Sequence, residues 1–420
     1  MQTILLNKPR AIRYMQECQL DAMIASSAIN VGYFSGYFCW LNSLLKEYMS
    51  RPGASSHLPE TYAVLTRDGN VALIVSSLFA ADATRIPEIH VQIFGPSGLD
   101  FIESPKSCVE EQKLWDLLAR PQDSASPLQA LLGILRGHGL TDGRIGIEMD
   151  GMPLERIKAI ANGLPQASLK DCSNLVRLIR AVKSAQELQR LTRAAEITER
   201  AGMRALELAK PGVAVHEIVQ QFHAHAAAMG AAFDHFAYSP RGLGIAMSSN
   251  YQFASDDVMF VDFGCRFSQY FSDTGVTLAM DDLPTTLERR YTALRACIAA
   301  GTSEMRPGVR SSRVHKVMAD EFTEHGFGAC FPHGHGLGLE VRDYPILVPD
   351  TSLRLADDCL NVSADLPLEE GMVNNLEACV FLPGIGSVHL EKSFVLTANG
   401  SRELARQDRK QPYSPLPGPA

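Results

Sequence analysis

Val258-Met259-Phe260-Val261-Asp262-Phe263-Gly264 and, a few residues on, Tyr270-Phe271-Ser272-Asp273 are the stretch from which the rest of this chain can be read. The run Val258 to Val261 is short and apolar, as a buried strand is, and Asp262 ends it. Tyr270 to Asp273 opens a second strand. A hairpin turning near Arg266 to Ser268 is predicted to bring Asp262 and Asp273 close across the ladder. A second pair of acids repeats this logic. Asn375 to Phe381 reads as one strand and Val388 to Glu391 as the next, with the turn signal Pro383-Gly384-Ile385-Gly386 between them. Gly384 is the midpoint between Glu377 and Glu391, so a hairpin there sets the two glutamates opposite each other. His335 sits in Pro332-His333-Gly334-His335-Gly336-Leu337-Gly338, where three glycines permit close backbone approach.

Asp262, Asp273, His335, Glu377 and Glu391 are therefore the candidate metal ligands. Two carboxylates about 4 Å apart repel by about 4 kcal/mol at an effective dielectric near 20. Four in one pocket are pushed toward protonation unless cations neutralise them. Oxygen donors with one imidazole suit Mn, Co, Zn or Fe, with Mg also compatible. Any one of these acids beside a turn would be an ordinary surface residue. Five in this order point to two divalent metal ions.

The order and spacing resemble the pita-bread metallopeptidase family, which includes methionine aminopeptidase, aminopeptidase P, prolidase and creatinase. The resemblance spans roughly residues 175 to 400. It is carried by Val261-Asp262-Phe263-Gly264, Tyr270-Phe271-Ser272-Asp273, His335-Gly336-Leu337-Gly338-Leu339-Glu340-Val341, Glu377 and Glu391, and by Arg180-Ala181-Val182-Lys183-Ser184 with Glu187. It implies a dinuclear centre with Asp273 and Glu391 bridging the ions, Asp262 on one ion, and His335 and Glu377 on the other. It also implies an α/β (α+β) chain of two domains. A creatinase- and prolidase-like amino-terminal domain is expected over residues 1–175, a pita-bread catalytic domain with pseudo-twofold duplicated halves over 176–405, and a tail over 406–420. An internal echo agrees: Pro211-Gly212-Val213 and Pro307-Gly308-Val309 each open a helical stretch, ending at Met229-Gly230 and His325-Gly326.

The chain also departs from the family pattern. The family's His ahead of the first Asp strand is replaced at Asn250-Tyr251, and its His-Glu pair after the ligand His is replaced by Arg342 and Asp343. Neither Asn nor Arg hands over a proton readily near neutral pH. Glu377 is thus a candidate proton acceptor as well as a ligand, and His333, His235 and His389 are candidate replacement acids. Arg342 is a candidate for binding a substrate carboxylate, or for an ion pair with Asp343. Asp343 is a candidate catalytic base. Asn250, His235 and His389 are candidate substrate contacts.

The rest of the chain sets bounds. At 420 residues two domains are expected, with 46% hydrophobic and 20% charged residues, as in globular proteins. A net charge of −8 argues against nucleic acid as a partner. No apolar run approaches the length of a membrane span, and the first eight residues lack a signal-peptide pattern. Nine cysteines without a Cys-x-x-Cys pair read as free thiols in a reducing cytoplasm, with Cys265 and Cys379 as core filler. In the first domain, strands are expected at 21–25, 62–66, 71–75 and 144–148, and helices at 128–135 and 153–161 with Pro153 at the first helical position. The stretch Phe38 to Pro59, with Trp40 and Tyr48, is long for a loop and is expected to cover a pocket. The domain boundary falls between Asp171 and Ser184. There, Ser184-Ala185-Gln186-Glu187 forms a capping box for a helix ending before Pro211. The tail from Ser401 is charged, then proline-rich, and its end is expected to pack poorly.

The predicted function is hydrolysis of a C–N bond, amide or peptide, Xaa-Pro-like or small non-peptide, by metal-bound hydroxide. The missing His positions favour a small amide or specialised dipeptide over general peptide trimming. Two alternatives use the same scaffold. One is a lyase of the dimethylsulfoniopropionate type, with Asp343 removing a proton. The other is a non-catalytic module that binds peptides or partner proteins. The resemblance implies a homodimer.

Overall fold

Short apolar runs supply the strands of the amino-terminal part of the computed structural model. The structure describes residues 4–39, 60–95, 108–119, 124–247, 250–328, 331–405 and 412–415. The chain divides into two compact units, residues 1–179 with 355–362, and residues 180–354 with 363–420. In the first unit, β1 (Ala22–Ala25), β2 (Tyr62–Thr66), β3 (Val71–Ser76), β4 (His90–Phe94), β5 (Arg144–Ile147) and β6 (Ser168–Asp171) form one sheet in the order β4-β3-β2-β1-β5-β6. Gly69, at φ +85, closes the β2–β3 hairpin where the Asp68-Gly69 signal lies. The two expected helices run over Pro127–Gly137 and Leu154–Gly163. Pro153 sits one position earlier than expected: its ψ of 141° is extended, so it caps the helix from outside. Most of the expected loop cover, including Trp40 and Tyr48, lies outside the described residues.

The second unit carries the candidate site. It contains α1 (Ala185–Leu206), α2 (Val215–Ala228), β7 (Ala232–Tyr238), β8 (Val258–Phe267), β9 (Tyr270–Ala279), α3 (Thr285–Glu304), α4 (Ser311–Glu324), β10 (His333–Gly336), β11 (Asp343–Leu347), β12 (Val373–Leu382), β13 (Gly386–Thr397) and β14 (Gly400–Glu403). The sheet order is β11-β10-β12-β13-β9-β8-β7, with β14 on β13. From the central pair β13 and β9, the strands run outward as β12-β10 on one side and β8-β7 on the other, so the halves mirror each other. The helices repeat this. Both α2 and α4 have 14 residues and follow a Pro-Gly turn, with Gly212 at φ +87 and Gly308 at φ +88. One apolar core, with Leu294, Met318 and Leu376, lies under α3 and α4; another, with Ile218, Phe222 and Phe263, lies under α1 and α2. Within the tail, Tyr413 hydrogen-bonds through its backbone to Thr277 and Ala279 of β9. Among the described residues, no helix is long and apolar enough to cross a membrane.

The capping box at the start of α1 forms as read from the sequence. The Glu187 backbone N–H donates to Ser184 Oγ, and the Ser184 N–H donates to Glu187 Oε2 at 2.8 Å. The Tyr270 hydroxyl donates to Glu187 Oε1 at 3.1 Å, which ties the helix start to the first residue of β9. Burial pushes the Glu187 carboxyl up to about 7, against the lowering influence of Ser184, Lys183 and Tyr270. A carboxyl raised in the folded state favours folding most below its unfolded value, near 4.5, and loses that contribution as pH rises through 7. Such a shift corresponds to about 3 kcal/mol. The melting temperature of wild type relative to Glu187→Gln will therefore fall between pH 5 and pH 8. A pH-independent difference between the two melting curves would contradict this.

Candidate metal centre

Strand register sets the site. In the first hairpin, Ser268 and Gln269 form the turn at φ +48 and +74. In the second, Pro383 to Ile385 turn between Leu382 and Gly386, and Glu377 pairs directly with Glu391. One row then crosses five strands: Asp262 of β8 pairs with Gly275 of β9, Gly275 with Glu391 of β13, Glu391 with Glu377 of β12, and Glu377 with His333 of β10. Paired residues present their side chains to the same face of a sheet. Asp273 lies two residues before Gly275 and His335 two after His333, so both share that face. The five predicted ligands thus converge.

The geometry is that of a donor cluster. His335 Nε2 lies 3.7 Å from Asp273 Oδ2 and 3.8 Å from Glu377 Oε1. His335 Nδ1 is 3.0 Å from the Gly336 carbonyl, which assigns the proton to Nδ1 and leaves the Nε2 lone pair facing the carboxylates. His335 is fully buried and Glu391 is 2% exposed. The buried atoms His335 Nε2, His389 Nε2 and Glu391 Oε2 have no hydrogen-bond partner among the described residues. Buried polar atoms without partners are costly, and divalent cations would satisfy those of His335 and Glu391. The residues therefore fit two such ions.

Electrostatics agree. Burial, reinforced by Asp273, Asp262 and Glu377, holds the Glu391 carboxyl well above its ordinary range. Burial also raises Asp273, with Asp262 adding to the effect and His235 opposing it. Glu377 differs: burial works against its charge, but the hydrogen bond and charge of His333 bring it down to about 2. For His235, burial opposes the charge, yet hydrogen bonds to Asp234, Asp262 and Asp273 push it up to about 12. Protons and cations compete for the same atoms here.

The remaining predicted residues divide. His333 joins the cluster, with Nε2 2.6 Å from Glu377 Oε1. Arg342 Nη2 donates to Glu377 Oε1 at 2.8 Å and lies 3.2 Å from His333 Nε2, so its partner is Glu377 and not Asp343. His235 reaches Asp262 and Asp273 with Nε2 at 3.0 and 3.3 Å.

Three expectations are corrected. Asp343 is not placed as a base: it is buried, paired at 2.9 Å with Arg180, and held below its usual range by Arg180 and Lys183 despite burial. Asn250 is not brought to the cluster; it lines a surface groove with Val215, His216, Val219 and Gln220. His389 is fully buried and stacked 4.0 Å from Phe260, with Nε2 3.6 Å from Glu391 Oε2, so it faces the acids from the interior and not from an exposed substrate surface. Burial lowers its pKa to about 4, which keeps the ring neutral.

Other contributors were not read from the sequence. Asn375 Nδ2 donates to Glu391 Oε1 at 2.6 Å and orients it. The amide pair Asn374-Asn375, two positions ahead of Glu377 in a largely apolar strand, was the available signal. Gly264 and Gly275 are the others. A Cβ on Gly264 would overlap the His235 ring and the Ser272 carbonyl, and one on Gly275 would overlap the His389 ring.

Comparison with known proteins follows the same division. The profile of "Metallopeptidase family M24" matches residues 189–398, and that of "Creatinase/Prolidase N-terminal domain" matches residues 9–182. An Xaa-Pro dipeptidase of Pyrococcus furiosus is 24% identical over 415 residues, covering 96% of this chain and 98% of the relative. An uncharacterized peptidase of Bacillus subtilis is 27% identical over 274 residues, covering 64% of this chain and 74% of the relative. Among solved structures, the prolidase from Pyrococcus horikoshii superimposes with a TM-score of 0.69 at 22% identity, covering 96% of this chain and 98% of that one.

Proposed function

Because the chain belongs to metallopeptidase family M24, we propose that it is a metal-dependent hydrolase that cleaves the C–N bond of a dipeptide-sized substrate, an Xaa-Pro dipeptide or a small amide bearing a carboxylate. The observation that carries this reading is the single row Asp262–Gly275–Glu391–Glu377–His333, flanked on the same face by Asp273 and His335. Asp262, Asp273, His335, Glu377 and Glu391 would hold two divalent ions, with Mn, Co, Zn and Fe all compatible with the donors. When bound, such ions supply Lewis-acid polarisation and lower the pKa of water.

The chain's own residues supply the rest. His333 Nδ1 faces the Phe331 carbonyl at 3.3 Å, which leaves Nε2 as the nitrogen that exchanges a proton beside Glu377. In this reading, His333 delivers that proton to the departing amine, the role left open by the replaced family histidine. Arg342, with about half of its side chain exposed, offers its guanidinium edge to the substrate carboxylate while Nη2 holds Glu377. A free carboxylate close to the scissile bond explains a preference for short substrates. An elimination reading would need Asp343 as base, and the Arg180 pair occupies that carboxylate. The working form in this reading is a cytoplasmic homodimer.

The test is amine release from Mn-, Co- or Zn-loaded protein on Xaa-Pro dipeptides, small carboxylate-bearing amides and longer Xaa-Pro peptides. Turnover is expected on the short substrates, lost on chelation and restored by metal. His333→Ala should lower kcat by about 10²-fold or more while the bound ions remain. A protein carrying two ions that releases no amine, or that turns over long peptides as fast as dipeptides, would overturn the proposal.

A further inference from the structure

The ligand set read from the sequence puts one imidazole on one side of the centre and none on the other. The side holding Asp262 is where His235 arrives. We propose that His235 is a sixth protein ligand, coordinating through Nε2 the ion held by Asp262 and Asp273. This inference rests on the dinuclear reading above.

Four features of the chain carry it. First, Nε2 lies 3.0 Å from Asp262 Oδ1 and 3.3 Å from Asp273 Oδ1. Donors sharing one ion at bond lengths of about 2.1 Å sit about 3.0 to 3.4 Å apart, so the three atoms already surround an ion-sized point. Second, the other ring nitrogen is fixed: Nδ1 lies 2.7 Å from Asp234 Oδ2. A carboxylate behind the imidazole sets the tautomer and turns Nε2 toward the metal, as in carboxylate–histidine–metal arrangements. Third, the strand is shaped to deliver this ring. The register of β7 on β8 shifts between Phe233 and His235, and such an irregularity re-aims a side chain. Fourth, the residue paired with His235 is Gly264, and a Cβ there would overlap the imidazole. Gly264 in turn pairs with Asp273, so the ring crosses a bare strand to reach the next one.

Asp273 also groups within ligand distance with His335 and Glu391, whose Nε2 and Oε2 are buried and without hydrogen-bond partners. The consequence is a nitrogen donor at each ion. That composition shifts the centre toward Zn, Co or Fe over the all-oxygen preferences of Mg and Mn. It also removes His235 from the candidate proton donors and substrate contacts, leaving His333 as the proton carrier.

The experiment counts ions and nitrogens, not turnover. Metal-free protein is titrated with Co²⁺, following visible absorption and the bound-metal ratio after dialysis. Pulsed EPR on Mn²⁺-loaded protein counts the imidazole nitrogens coupled to the metal. Wild type should bind two ions and show coupling from two imidazoles. His235→Ala should keep one tight ion, bind the second about 100-fold more weakly, and lose one imidazole coupling. Asp234→Asn, which leaves the ligand in place, should weaken the same ion by about 10-fold. If His235→Ala binds both ions as wild type does, with unchanged couplings, His235 is not a ligand and the dinuclear reading still stands. If wild type itself binds no ion, the dinuclear reading fails first.

Discussion

Asp273→Asn will lower kcat/KM by about a thousandfold or more, a loss of about 4 kcal/mol of transition-state stabilisation. The amide keeps the shape of the carboxylate, so the fold should survive, and a circular dichroism spectrum matching wild type is part of the expected result. What disappears is one negative charge between two imidazoles: His235 Nε2 lies 3.3 Å from one oxygen and His335 Nε2 lies 3.7 Å from the other. No other carboxylate in the cluster faces both histidines at these distances. Metal analysis should accordingly show fewer than two ions per chain. A variant that retained both ions and full activity would mean that the ions, if present, are held elsewhere.

Gly275→Ala will destabilise the protein by about 3 kcal/mol, the upper range for overpacking a well-filled interior. Gly275 pairs on one side with Asp262 and on the other with Glu391, so it lies at the middle of the ligand row. The new methyl would enter the His389 ring. That ring has little room to retreat. It stacks on Phe260 at 4.0 Å and is fully buried, and its strand is held by the Thr277 hydroxyl, which accepts from the His389 backbone N–H at 2.8 Å. The distinguishing measurement is the double variant. Adding His389→Ala removes the obstacle, so Gly275→Ala/His389→Ala should melt higher than Gly275→Ala alone even though the second change by itself leaves a cavity. If the single variant melts with wild type, or the pair behaves additively, the close approach is not what this glycine provides.

The sequence by itself determined the two hairpins and their acids. Both depend on information within about a dozen residues: apolar runs, turn residues at Pro383 to Gly386, and equal spacing of Glu377 and Glu391 about Gly384. The capping box of α1 and the paired Pro-Gly helix starts were legible for the same reason. The fates of Asp343, Asn250, His389 and His235 were decided only in the tertiary structure. Asp343 is captured by Arg180, 163 positions away in the chain. His235 reaches Asp273 because Gly264 leaves the intervening strand bare, and His389 fits because Gly275 does the same. Local chemistry can place a side chain on a strand and choose its face. Which distant charge meets it, and which missing Cβ leaves space for its ring, depends on strand order and register, and these are set by packing of the whole sheet against its helices.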